Sequence, residues 1–369
     1  MKDEDLLNLI RVAKSSTLSR LLKSGFSLSK VISYSNSLEN SSGKKILPSK
    51  EKAEIELENC KKIGVSIISI EDEIYPSDLK KIQNPPVLLY AKGNLNLLKK
   101  EKFAIVGARV ASVESRQIAE NFAKSLSDFG FTITSGFAFG VDTASCIGSL
   151  KSGTIQVLGS GINVIYPKEN TSLYYKVIEN QGLFISEVPP NCPAKPENFP
   201  SRNRIIVGIS KGVLLVQASK KNGSSGSLIT ARITLEQEKE LFAIPGHPLD
   251  SRFDGGNDLI KHGNAIFTTT PDDIISMIGY YVNKKEKITT FKPKNIKLLD
   301  EEKEDIELIV STDLKEKILA NLGTNAIHID EIASLMEENL QAVQIAVSEL
   351  ELLSKLQRHR DGRFSLNLC

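Results

Sequence analysis

One rhythm dominates the middle of this chain. Between Phe103 and about Met277 a short apolar run gives way to a glycine-containing turn and then to an amphipathic helix, several times over. Apolar runs of this kind belong to a parallel sheet buried on both faces, because parallel neighbours are joined by crossover helices that cover those faces. The spacing predicts strands at Phe103–Val106, Phe131–Thr134, Thr154–Leu158, Leu183–Ser186, Val213–Gln217, Leu241–Ile244 and Ala265–Thr268. After the first of them, Ile118, Ala119, Phe122 and Leu126 line one face of a helix over Glu114–Asp128, which Gly130 ends. The expected class is α/β.

The flanks read differently. Residues from about 5 to 60 have helical periodicity (Leu6, Leu7, Ile10; Leu18, Leu21, Leu22) broken by Gly25 and by the polar stretch Asn36–Lys45, which predicts a small helical unit over 1–62. Apolar runs at Val65 and Val87, bounded by Tyr75-Pro76 and Pro85-Pro86, open the α/β unit of 63–282. A charged stretch poor in aromatics, 283–312, predicts a solvated linker. Beyond it, over 313–369, helices at Leu314–Leu322, Ile329–Met336 and Leu340–Leu353 precede a strand, turn and strand from Leu356, the pattern of a winged helix.

Composition excludes several classes. The 369 residues carry 47 Lys+Arg against 45 Asp+Glu, so a polyanion partner has to meet a local basic patch. Cys60, Cys146, Cys192 and Cys369 never form C-x-x-C, which argues against a zinc knuckle, a redox pair or a disulfide framework. The sequence has no signal-like run and no window of about 20 apolar residues, so a cytoplasmic chain without a membrane span is expected.

The strand ends carry the chemistry. In an open parallel sheet these ends share one edge, where helix N-termini offer free N–H groups and partial positive charge to anions. Gly107-Ala-Arg109 aims a cation from the first strand end, against the plainer reading of a surface arginine beside a turn. Ser135-Gly136-Phe-Ala-Phe139-Gly140-Val-Asp142 sets two glycines around Phe139, either a core residue or a stacking platform. Gly159-Ser-Gly161 leads to Lys168. Arg202, Asn203 and Arg204 are read at a helix start, where cations oppose the helix dipole unless an anion is near or Glu187 or Glu197 pairs with them. Gly223-Ser-Ser-Gly226-Ser227 gives a turn through which a ligand can approach the backbone, with Ser227 as the expected helix cap, or simply a tight strand-to-helix turn. A complete G-x-G-x-x-G with its ribose acid and a G-x-x-x-x-G-K-[ST] are both missing, so NAD and P-loop chemistry are not expected, and no cofactor is. The histidines His247, His262, His328 and His359 are scattered, with no identifiable nucleophile or orienting acid beside them.

Taken together, Gly107-Ala-Arg109, Ser135 to Asp142, Gly159 to Pro167, Ser186 to Pro190, Asn198 to Ile206, Gly226 to Ala231 and Pro245-Gly-His-Pro248 closely resemble the DNA-processing protein A (DprA, or Smf) family. The resemblance covers nearly the whole chain. It implies an extended Rossmann-like parallel sheet core, an N-terminal SAM-like helical domain and a C-terminal winged helix. It also implies a homodimer that binds single-stranded DNA without sequence preference and loads the RecA recombinase in natural transformation, without being an enzyme. By motif position Arg109, Lys168, Arg202, Asn203 and Arg204 face phosphates, and the turns at Gly107, Ser135, Gly136, Gly226 and Ser227 admit the strand. Two positions depart from the family: Ala108 lacks a usual hydroxyl, and Phe139 stands where an arginine is usual, so that either affinity is weaker or Phe139 replaces charge with base stacking.

Two rival readings remain. A nucleoside monophosphate phosphoribohydrolase would use the Gly226 turn and Glu236, although that group's glycine-rich pattern is not reproduced. A duplex-DNA binder would act through the winged helix, but Glu349 and Glu351 make its third helix a poor major-groove reader.

Overall fold

The computed structural model describes residues 3–13, 19, 22–23, 27–37, 49–220, 226–282, 312–322, 326–336, 338–340, 342–343, 346–347, 350, 355–359 and 363–366. Most of the stretch expected as a linker, most of the polar stretch in the helical unit, and Gly223 lie outside the described residues. The chain divides into two compact units, Met1–Thr289 and Thr290–Cys369.

The first unit is built on nine strands: β1 (Ser66–Ser69), β2 (Leu88–Gly93), β3 (Lys102–Val106), β4 (Thr132–Ser135), β5 (Thr154–Leu158), β6 (Leu183–Ser186), β7 (Gly212–Leu215), β8 (Glu240–Ala243) and β9 (Ile266–Phe267). Their order is β1-β2-β6-β5-β4-β3-β7-β8-β9. The seven strands from β3 to β9 are parallel, and β2 and β1 extend the sheet antiparallel beyond β6. This is the α/β parallel core that the rhythm predicts.

Alternation sorts the strands' side chains into two cores. Phe103, Ile105, Ile133, Leu214, Val216, Phe242 and Ile244 face one side, with Ala119, Phe122, Ala123 and Leu126 of a helix over Val113–Phe129 and Ile274 and Ile278 of another over Pro271–Ile278. Ala104, Val106, Ile155, Val157, Val213, Leu215, Leu241 and Ala243 face the other, under Ile205, Ile206 and Ile209 of a helix over Asn198–Ile209 and Ala231 of one over Gly226–Glu236. A strand with apolar groups on both faces has no solvated side, so it settles in mid-sheet.

The helices at Asp3–Ala13, Leu28–Ser37 and Lys50–Lys62 bury Leu9, Ile10, Val31, Ala53 and Leu57 in one cluster with Val87 and Leu88, at the antiparallel end of the sheet. For the site the helices that matter are α1 (Val113–Phe129), α2 (Val141–Ser149), α3 (Thr171–Glu179), α4 (Asn198–Ile209) and α5 (Gly226–Glu236).

In the second unit, helices over Thr312–Asn321 and Ile329–Met336 close on Val343, Ala346, Val347 and Leu350. A hairpin of β10 (Leu356–Arg358) and β11 (Phe364–Leu366) completes that core through Leu356 and Phe364, and Ile327 pairs with Phe364 at its edge. Among the described residues, helical segments followed by a two-stranded wing are the parts of a winged helix.

Candidate nucleic-acid interface

The strand order reverses direction at β3. From there the chain winds outward through β4, β5 and β6, then crosses back to β7 on the other side. Loops leaving neighbouring strands at such a switch part in opposite directions and leave a crevice at the carboxyl ends. Here the crevice is an open groove of about 570 Å³, lined by Gly107, Ala108 and Arg109 after β3, Ala138 and Asp142 after β4, Tyr166 after β5, Phe199, Pro200, Arg202, Asn203 and Ile206 on α4, and Gly226, Ser227 and Thr230 of α5.

Its walls are tied from several elements. Asp142, buried at the start of α2, accepts hydrogen bonds from the backbone N–H of Gly136 (3.1 Å) and Ala138 (3.3 Å). Burial pushes this carboxyl up from its ordinary range, while Arg202 and the backbone donors pull against that shift. The Ser135 hydroxyl donates to the Ile105 carbonyl, joining β4 to β3. Gln217 accepts from the Ser112 N–H (3.1 Å) and donates to the Val110 carbonyl (3.3 Å), which holds the loop after β3 to the end of β7. Asn170 donates to the Phe137 carbonyl (3.1 Å) across the loop after β4.

At Gly140 the backbone needs glycine twice over. Its φ is +75°, and a Cβ would come within 2.3 Å of the Ala108 carbonyl oxygen.

The cations fall into two groups. Arg109 is exposed, its guanidinium 5.4 Å from the centre of the Phe199 ring, and Phe199 in turn lies 5.5 Å from the Tyr166 ring. Lys168 is exposed in the short turn before α3 and does not line the groove. Among the described residues neither is paired with a carboxylate. Arg202 and Arg204 are different, and here the structure departs from the sequence expectation. Helix α4 starts at Asn198, so both arginines sit beyond its first turn and do not confront the positive end of its dipole. Arg202 is 6% exposed; its Nη1 donates to the carbonyls of Gly136 (2.6 Å) and Val157, and its Nε to the side-chain oxygen of Asn203 (3.2 Å), itself buried. Burial brings the Arg202 pKa down to about 10, which leaves it cationic at neutral pH. Arg204 forms an ion pair with Glu187 and lines a separate cavity with Asp78 and Lys81.

Among the remaining expected residues, Gly107, Arg109, Arg202, Asn203, Gly226 and Ser227 meet at the groove, whereas Ser135, Gly136 and Phe139 stand behind or beside it. Ser227 is not the residue before the helix: α5 begins at Gly226, and the hydroxyl side chain is buried in its first turn. Phe139 is 41% exposed, and it is Phe137 that fills the core, edge-on to Phe184. Sequence reasoning missed Tyr166 and Phe199; each stands beside a proline, Tyr166 in the loop after β5 and Phe199 in the first turn of α4, and only their shared motifs with Lys168 and Arg202 hinted at a common site. Cys60 and Cys146 are buried and not in a disulfide.

A sequence profile of DNA recombination-mediator protein A matches residues 66–279, more than half of the chain, and a DprA winged helix profile matches 306–362. The chain belongs to the DNA recombination-mediator protein A family. This member is 42% identical over 206 residues to DNA processing protein DprA of Streptococcus pneumoniae, covering 55% of this chain and 71% of that protein. It is 34% identical over 288 residues to protein Smf of Escherichia coli, covering 78% and 73%. The X-ray structure of the S. pneumoniae DprA superposes with a TM-score of 0.61 at 31% identity, over 75% of this chain and 98% of that one. A solved DprA from Helicobacter pylori, studied for its single-stranded DNA binding mode, gives 0.53 at 30% identity, over 58% and 96%. No described helix is long and apolar enough to cross a membrane.

Proposed function

We propose that the protein binds single-stranded DNA without sequence preference along this groove, as a cytoplasmic homodimer that hands the strand to the RecA recombinase during transformation. The helical unit of 1–62, the α/β unit of 63–282, the linker of 283–312 and the winged helix of 313–369 are taken as its four parts.

The observation that carries the reading is the pairing of unneutralised cations with a helix start on one edge. Arg109 and Lys168 have no internal carboxylate partner among the described residues, and α5 opens on the same groove as Arg109. A row of weak anion sites suits a repeating polyanion better than one nucleotide, because each site then meets its own phosphate. Phe199 and Tyr166, with Arg109 against the ring, supply π surface on which bases of any identity can stack. Backbone gripping with stacking is the chemistry of a strand binder that ignores sequence.

The hydrolase alternative draws less support. Glu236 lies at the far end of α5, pairs with Arg232, and lines the cavity around Asp78 instead of the groove. We read the protein as a binder with no reaction of its own.

The test is a mobility shift in which labelled oligo(dT) competes against an unlabelled duplex of equal length, beside an assay for free base released from nucleoside monophosphates. Preference for the single strand with no base released is expected. Equal competition by duplex, or catalytic release of base, would overturn the reading.

A further inference from the structure

We propose that Arg202 is a positioning residue, whose guanidinium fixes the strand ends that form the groove and does not neutralise a phosphate. This deepens the single-strand reading above and rests on it.

The Nη1 hydrogen bonds of Arg202 leave its own helix. Arg202 belongs to α4, but its Nη1 reaches two carbonyls on other elements: Gly136 just past β4 and Val157 in β5. A buried backbone carbonyl oxygen requires a donor, and left uncovered beside the crevice its partial negative charge would repel an incoming anion. A guanidinium that accepts neither proton loss nor an acceptor role can only donate, so it is suited to cover such oxygens. Two of its three nitrogens, making three hydrogen bonds, are committed inside the protein before any ligand arrives.

The second observation is steric. A Cβ built on Gly136 would lie 2.6 Å from Arg202 Nη2 and 2.8 Å from Asp142 Oδ2. The cation and the carboxylate therefore pinch the Gly136 backbone between them, and the carboxylate also takes the Gly136 and Ala138 N–H groups. With the carbonyl held by Arg202 and the N–H by Asp142, the loop from Gly136 to Gly140 is held from both sides. That loop presents the exposed ring of Phe139 and leads into α2.

The third is placement on the helix. Phe199 precedes Arg202 by three residues, so both project from the same side of α4. Anchoring Arg202 on the end of β4 and on β5 therefore also sets the position of the Phe199 ring, and through it the cluster of Arg109, Phe199 and Tyr166. A lysine cannot reproduce this, having a single nitrogen where two carbonyls and an amide oxygen are engaged from two.

Salt dependence separates positioning from contact. A side chain that neutralises a phosphate contributes to the slope of log K against log salt, whereas one that only arranges the site changes affinity at constant slope. The full-length protein is titrated with oligo(dT) over a series of salt concentrations as wild type, Arg202→Lys, Arg202→Met and Arg109→Ala. Both Arg202 variants are expected to bind about tenfold more weakly, the scale of one lost charge-assisted hydrogen bond, along lines parallel to wild type. Arg109→Ala should flatten the line by about 0.7. If the Arg202 variants do not fold, arginine side-chain 15N spectra of the wild type decide. The Arg202 Nε–H should exchange slowly without DNA and keep its shift when oligo(dT) is added, while Arg109 moves. A slope reduced in Arg202→Met, or an Arg202 signal that shifts on DNA as far as that of Arg109, overturns the proposal while leaving strand binding intact. Wild-type protein that leaves oligo(dT) free overturns the binding reading and this one with it.

Discussion

A single methyl group tests the tightness of the loop after β4. Gly136→Ala forces Cβ against Arg202 and Asp142, and overpacking of this kind costs about 1–3 kcal/mol. A lowered melting temperature together with weakened oligo(dT) binding is expected, and an unperturbed variant would show that the loop has slack. Away from the groove, Asp78 shows how charge is managed at the opposite edge of the sheet. Burial alone would raise its pKa, but hydrogen bonds from Lys211 (2.6 Å) and Lys81 (3.2 Å) outweigh this and hold it below the ordinary value. A carboxyl depressed in the fold binds its proton first in the unfolded chain. Its stabilisation is thus full above the unfolded value of roughly 4 and fades as pH falls through the folded value. Asp78→Asn should lower stability at neutral pH, by at most ~1 kcal/mol after solvent screening, and flatten the acid limb of a urea-unfolding series. A variant whose acid limb parallels wild type would contradict the pairing.

At the scale of elements, α4 is held at both ends. Arg202 secures its early turns, and Lys239 donates to the carbonyls of Val207 (2.7 Å), Gly208 (2.9 Å) and Ser210 (2.6 Å) at its close. Lys239→Met leaves those acceptors without their cation and is expected to destabilise the fold by about 2 kcal/mol, read from chemical denaturation; no loss would mean water replaces the ammonium freely. The elements themselves were legible. Runs such as Phe103-Ala-Ile-Val and Val213-Leu-Leu-Val are apolar on both alternating faces, and that pattern admits little besides a covered strand. What periodicity does not encode is which way a polar side chain turns once its helix is seated. Arg202 and Arg204 look like surface cations until α4 is known to begin at Asn198 and to lie across β4 and β5. Exchanging both for glutamate, a surface change on the sequence alone, would instead bury carboxylates against the carbonyls of Gly136 and Val157 and against Glu187. The same limit hid the sorting of Phe137 into the core and Phe139 outward, since both flank one turn.

The whole molecule joins an α/β unit whose crevice gathers motifs spread from Gly107 to Thr230 with a separate winged-helix unit of its own core. A sheet whose order reverses at β3 is what brings those distant segments together, so the site is a property of topology as much as of any one motif. Under the proposed function, exposed cations along this edge meet the phosphates of a single strand. The most direct measurement is the salt dependence of oligo(dT) affinity for the wild type and for Arg109→Ala combined with Lys168→Ala. Each phosphate contact on a single strand adds about 0.7 to the slope. The double variant is therefore predicted to bind more weakly with a slope shallower by about 1.4 on the same scale, and an unchanged slope would contradict the account.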